Sequence, residues 1–147
     1  MKTKEIKKVF VQGPISPEFI AQSIAKHQHK TDIGAHDIFL GQVRADVIDG
    51  KTVAAIDYTA YEPMAEAKFT EIREATFDKF DISCMHIYHS LGKVAAGELC
   101  LFVFVSSPHR RVAFEALQYV VEEIKQHVPV FGKELFEDES YQWKVNT

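Results

Sequence analysis

The chain has 147 residues, with 46% hydrophobic and 26% charged side chains, a size and balance expected of one compact domain spanning residues 1–147 with no long disordered tract. A formal net charge of −4 and a pI near 6.0 argue against a protein that wraps nucleic acid, so any anion site must be local. The longest apolar run, Leu99 to Val105, is far short of the ~20 residues that cross a bilayer, and the charged N-terminus leads into no signal-peptide core, so a cytoplasmic, membrane-free protein is expected.

Ile6 to Val11 reads as a first strand, closed by Gly13-Pro14. Ser16-Pro17 offers an N-cap and a proline suited to the first helical position. Phe19, Ile20, Ser23, Ile24 and His27 then share one helical face, and the helix frays into His27-Gln28-His29-Lys30, whose histidines read as solvated rather than as metal ligands. His36 to Val43 is a second strand, Asp49-Gly50 a tight turn, and Val53 to Tyr61 a third strand. The expectation is a hairpin of these two strands, with Ala45 to Lys51 at its tip and Arg44 at the mouth of the loop.

Glu62-Pro63 opens a second helix whose inward face is Ala65, Phe69, Ile72, Thr76 and Phe80. Cys84 to Leu91 alternates as a strand closed at Gly92, and Leu99 to Val105 is apolar on both faces, as in a strand covered on both sides. Ser106-Ser107-Pro108 caps a third helix with inward face Ala113, Leu117, Val120 and Ile124, stopped by Pro129. Lys133 to Phe136 and Tyr141 to Val145 form a small hairpin about an acidic turn. Hairpins mixed with helical crossovers predict an α+β fold, helices layered on a mixed sheet. The two cysteines, Cys84 and Cys100, sit in apolar runs and read as reduced core thiols, not as a disulfide or zinc site.

The chemical signal is a set of cations at the ends of elements: Arg44, His109, Arg110, Arg111, Lys125 and Lys133. Three of them gather where a buried strand enters a helix, a place where free N–H groups and the helix dipole favour an anion and oppose cations. A bridging phosphate or carboxylate would resolve that conflict; surface ion pairs with Glu115 or Glu122 are the competing reading. If Lys125 and Lys133 converge on these arginines, repulsion favours a neutral amine that can act as base or nucleophile. His89 reads as a hydrogen-bonded, partly buried ring, and Tyr61-Glu62-Pro63-Met64 as either a partner contact or a helix cap.

Taken in order, Phe39-Leu40-Gly41-Gln42-Val43-Arg44, Tyr58-Thr59-Ala60-Tyr61-Glu62-Pro63-Met64-Ala65-Glu66, His89-Ser90-Leu91-Gly92, Val105-Ser106-Ser107-Pro108-His109-Arg110, Ile124-Lys125, Val128-Pro129 and Lys133-Glu134 resemble the molybdopterin synthase large, catalytic subunit family from about Ile33 to the C-terminus. The resemblance implies an α/β hammerhead fold with an added antiparallel sheet and a homodimer inside a heterotetramer. At each end a small ubiquitin-like subunit would bring a C-terminal Gly-Gly thiocarboxylate. The implied activity is sulfur transfer from that tail to cyclic pyranopterin monophosphate, forming the dithiolene of molybdopterin, with no further cofactor. It assigns substrate binding to Arg44, His109 and Arg110, with Arg111 beside them though not a family-wide position, and catalysis to Lys125. Gly132 stands where the family carries its other catalytic lysine. The expectation is that Gly132 lets the backbone turn so that Lys133 reaches the site and shares catalysis, against a subunit that works with Lys125 as its main acid–base group; the alternative function is a non-catalytic paralogue that keeps the dimer and binds a Gly-Gly tail as a scaffold.

Overall fold

The computed structural model describes residues 8–145; the start of the expected first strand, Ile6 and Lys7, lies outside them. In chain order the elements are β1 (Phe10–Gln12), α1 (Pro17–His27), β2 (Ala35–Gln42), β3 (Val47–Ile48), β4 (Lys51–Ala60), α2 (Glu62–Lys79), β5 (Cys84–Ala95), β6 (Leu99–Ser107), α3 (Arg110–His127), β7 (Val130–Phe136) and β8 (Tyr141–Trp143). The fold is α+β, with strands in the order β2-β6-β5-β4-β7-β8, β1 parallel to β5 and β3 paired with β4.

The helices form where spacing and caps direct them. Ser16 caps α1 by accepting from the Phe19 N–H at 3.2 Å, and Pro17 follows at the first turn. α2 buries Ala65, Phe69, Ile72 and Thr76, and α3 buries Ala113, Leu117, Val120 and Ile124, the faces that the periodicity predicts. β6 is the strand covered on both sides. Leu101, Val103 and Val105 join the core beneath α2 and α3, while Phe102 and Phe104 pack with Ile15 and Ile20 under α1. Each such buried side chain contributes roughly 1.5–3 kcal/mol, so the two faces of β6 hold the layers together.

Two strand readings need correction. Asp49-Gly50 does form a tight turn, both residues having positive φ, but it joins β3 to β4. β2 does not pair with β4 at all; it lies antiparallel to β6, because its apolar residues match the doubly covered central strand. Nor does Gly92 end β5. At φ +83° it bends the strand, so that Cys84–His89 pair with β6 while Gly92–Ala95 pair with β4. Only glycine adopts that angle without strain, and the bend carries the chain from the first half of the sheet into the second. That second half of the sheet, β4-β7-β8, becomes the wall of the site described next.

Candidate functional site

A cleft of about 300 Å³ opens between the end of β2 and the β4-β7 ladder, lined among others by Gln42, Arg44, Tyr58, Cys100, Lys125, Glu134 and Lys144. A smaller hollow beside it is shared by Tyr58, His89, Lys125, Gly132 and Lys144. Lys125, Tyr58 and Lys144 line both. Lys125 is placed by the last turn of α3, and Ile124 beside it is buried in the core, so the lysine is carried on a fixed shoulder.

The floor is made by strict alternation. Gly132 lies opposite Tyr58, and Glu134 opposite Ile56 and Gln142. With period two, Gly132, Glu134, Gln142 and Lys144 share the cleft face, and Lys133, Tyr141 and Trp143 share the other. The side chains agree. Gln142 donates to Glu134 at 3.2 Å, the Lys144 N–H donates to the Gly132 carbonyl at 2.8 Å, and the Lys133 ammonium lies 4.7 Å from the Tyr141 ring centre and 5.5 Å from Trp143. The expectation that Gly132 redirects Lys133 into the cleft therefore fails on geometry.

Gly132 is required here for space, not for an unusual angle. A Cβ on it would stand 2.9 Å from Ile56 Cγ2 and 3.4 Å from the Tyr58 ring. The lysine that reaches the cleft beside Lys125 is Lys144, which sequence reasoning missed because nothing in its neighbours marks it. The parity of β7 and β8 was the available signal.

Burial tunes the groups around Lys125. Tyr58 has its phenol pushed far up, by burial first and by Cys100 and Glu134 second, so it keeps its proton and can only donate or accept a hydrogen bond. His89 is 5% exposed and its Nδ1 donates to the Ser90 carbonyl at 2.8 Å. Its pKa is lowered to about 4, by burial first and by the Lys125 charge in addition, against the opposing effect of that hydrogen bond, so the ring is neutral at pH 7. The cleft thus pairs exposed cations with neutral proton-holding groups beneath them.

The other cations stand elsewhere. Arg44 reaches out from the cleft's edge, 71% exposed, and holds Asp46 at 3.3 Å, a surface pair of little energetic weight. His109 is the N-cap of α3, with Arg110 and Arg111 in its first turn, all three exposed. Among the described residues neither arginine makes an ion pair with Glu115, Glu122 or any other carboxylate, and the first turn holds no acidic residue. Arg110 and Lys125 are fifteen residues apart on one helix, about 22 Å at 1.5 Å per residue. Arg44, Lys125 and Lys144 line one cleft, but His109, Arg110 and Arg111 do not converge on it within one chain.

The description "MoaE protein" belongs to the family that matches residues 11–127. The chain is 38% identical to the molybdopterin synthase catalytic subunit of Bacillus subtilis over 122 residues, 83% of this chain and 76% of that one. It is 32% identical to the Bos taurus subunit of the same name over 145 residues, 99% of this chain and 74% of that one. Among solved structures, molybdopterin synthase from Staphylococcus aureus superposes with a TM-score of 0.79 at 31% identity, covering 93% of this chain and 96% of that chain. The Helicobacter pylori complex of subunits 1 and 2 of molybdopterin-converting factor shares the fold, with a TM-score of 0.78 at 19% identity over 92% of this chain and 88% of that one. This chain belongs to the MoaE protein family, alongside molybdopterin synthase catalytic subunits.

Proposed function

We propose that this chain is the catalytic subunit of a molybdopterin synthase, moving sulfur from the thiocarboxylate of a small Gly-Gly-ended partner to cyclic pyranopterin monophosphate. The observation that carries the reading is the family membership together with Lys125 standing over a cleft of ligand size. Replacing oxygen by sulfur on a carbon needs a proton for the departing oxygen and a cation beside the incoming sulfur. Lys125 gives the proton, Lys144 beside it keeps its charge next to the incoming sulfur, and Tyr58 can donate a hydrogen bond.

His109 and Arg110, with Arg111 next to them, hold the substrate's phosphate, and Arg44 closes the cleft's edge. A phosphate cannot touch both ends of α3 in one chain, so the anion-binding end is supplied by a second copy. A twofold dimer in which each α3 N-terminus meets the other protomer's cleft completes two sites at once. The partner docks where Tyr61 and Phe131 meet edge to face, their ring centres 6.1 Å apart, beside exposed Met64 and next to the hollow that Val130 and Gly132 line. No described helix is long and apolar enough to cross a membrane, and the reaction belongs in the cytoplasm with its small-molecule precursor.

The reading is tested by deleting the partner's terminal Gly-Gly. Turnover is lost with the truncated partner; unchanged sulfur transfer would overturn the tail-threading scheme. The scaffold alternative draws on the closed space above Gly132, which leaves the cleft without the usual second lysine at that position. It predicts that partner binding persists with no sulfur transferred.

A further inference from the structure

On the far side of the sheet from Lys125, the end of α1 meets the start of β5. His27, expected to be solvated, is 8% exposed there and faces Cys84 and His86, which β5 presents two residues apart on one face. The ligand atoms of these three residues all lie within 4.8 Å of one another.

The hydrogen bonds fix which atoms are available. His27 Nδ1 is 2.7 Å from the Ser23 carbonyl oxygen, which can only accept, so Nδ1 carries the proton and the Nε2 lone pair points away. That lone pair is aimed at His86 Nε2, 2.9 Å distant. With His27 Nε2 unprotonated, His86 Nε2–H donates this hydrogen bond, which turns the two ring nitrogens toward one point while the Ser23 carbonyl holds the outer N–H of His27, as an orienting partner does for a metal-ligating imidazole. Cys84 Sγ completes the triangle and accepts from the Lys30 ammonium at 2.9 Å.

We propose that His27, Cys84 and His86 form a binding site for a late transition ion such as zinc(II), which clasps the end of α1 to β5. Zinc takes imidazole nitrogen at about 2.0–2.1 Å and thiolate at about 2.3 Å, which sets tetrahedral ligand atoms roughly 3.3–3.6 Å apart. A triangle no wider than 4.8 Å, with its two nitrogens 2.9 Å apart, lies close to that spacing. On binding, the Cys84 thiol proton leaves to solvent, His86 releases its Nε2 proton and takes one up at Nδ1, and bonds from the metal to sulfur and to the two Nε2 atoms form. Lys30, exposed on its flexible stem, swings aside and leaves the fourth position to water. The site shares no residue with the Lys125 cleft, and it rests on the geometry of α1 and β5, not on the functional reading.

The test uses the purified full chain, stripped of metal, titrated with Zn²⁺ against a chromophoric chelator and separately with Co²⁺. The wild type takes up one equivalent, gains thermal stability with Zn²⁺, and shows a thiolate-to-cobalt absorption band. Cys84→Ser and His86→Gln weaken binding by at least ~100-fold and the first abolishes the band, while His29→Gln, on the exposed helix end, changes neither. Failure of the wild type to bind Zn²⁺ overturns the proposal. So does a cobalt band that persists in Cys84→Ser, since the ion would then sit on Cys100. Far-ultraviolet circular dichroism of each variant confirms that a loss reflects the ligand and not the fold.

Discussion

If a second copy supplies the phosphate-binding end of each site, two crippled chains should repair one another. Lys125→Ala removes the lysine over the cleft and should cost ~10²–10⁴-fold in rate, the usual weight of a positioned proton donor. Arg110→Ala removes a charge-assisted contact at the other end of α3 and should cost ~1.5–3 kcal/mol of precursor binding, roughly ten- to a hundredfold at limiting precursor. The two positions stand about 22 Å apart in one chain, so neither substitution disturbs the other. When the two variants are mixed and allowed to exchange protomers, about half the dimers are mixed and one site in each has both residues intact, restoring about a quarter of wild-type turnover. A chain with both substitutions, mixed equally with wild type, should leave about a quarter of the activity if sites are shared but about half if each chain acts alone. The assay is molybdopterin formed per minute from precursor and thiocarboxylated partner. No recovery in the first mixture, with half retained in the second, would refute the shared site and detach His109 and Arg110 from the Lys125 cleft.

Other expectations follow from the same geometry. Lys144→Ala should lower turnover clearly with partner binding intact, whereas Lys133→Ala, whose ammonium sits on Tyr141 and Trp143, should leave the rate within about twofold of wild type and show its effect in stability, as cation–π contacts are worth ~0.5–1 kcal/mol at exposed sites; equal losses of rate would contradict the alternation. Gly132→Lys should destabilise the chain by ~1–3 kcal/mol in urea unfolding, because its Cβ meets Ile56 Cγ2 at 2.9 Å, and an undiminished midpoint would show that β7 moves freely. His89 carries a folded pKa of about 4 against 6.5 for the free side chain. Between those values the unfolded chain binds the extra proton, so stability falls on acidification from pH 6.5 to 4, by up to about 3 kcal/mol. Urea midpoints across that range should slope less in His89→Gln, and an unchanged slope would assign acid sensitivity to other groups.

Local chemistry made much of the fold legible. Ser16-Pro17, the Ala65-Phe69-Ile72-Thr76 stripe and the doubly apolar 101–105 run each declare an element through spacing or capping, and each forms where expected. What the sequence did not disclose depends on partners distant in the chain. β2 pairs with β6, some sixty residues on, and not with the strand that follows it, since the central strand offers the better apolar match. Gly92 looked like a terminator because a glycine with positive φ ends one ladder in the same way that it bends a strand into the next. At the site, the position of Lys125 in the last turn of α3 was readable. That Lys144 and not Lys133 shares its cleft depends on the register of β7 against β8, and that His27 faces Cys84 and His86 depends on how α1 lies across β5.

Catalysis of sulfur transfer by this chain can be read in a single reaction. Purified chain, thiocarboxylated Gly-Gly partner and cyclic pyranopterin monophosphate are combined, and the dithiolene is measured as its oxidised fluorescent pterin. Product should form with two sulfurs consumed per pterin, and Lys125→Ala should nearly abolish it with the partner still bound. Full partner binding and no product from the wild-type chain would contradict it and leave a scaffold in place of an enzyme.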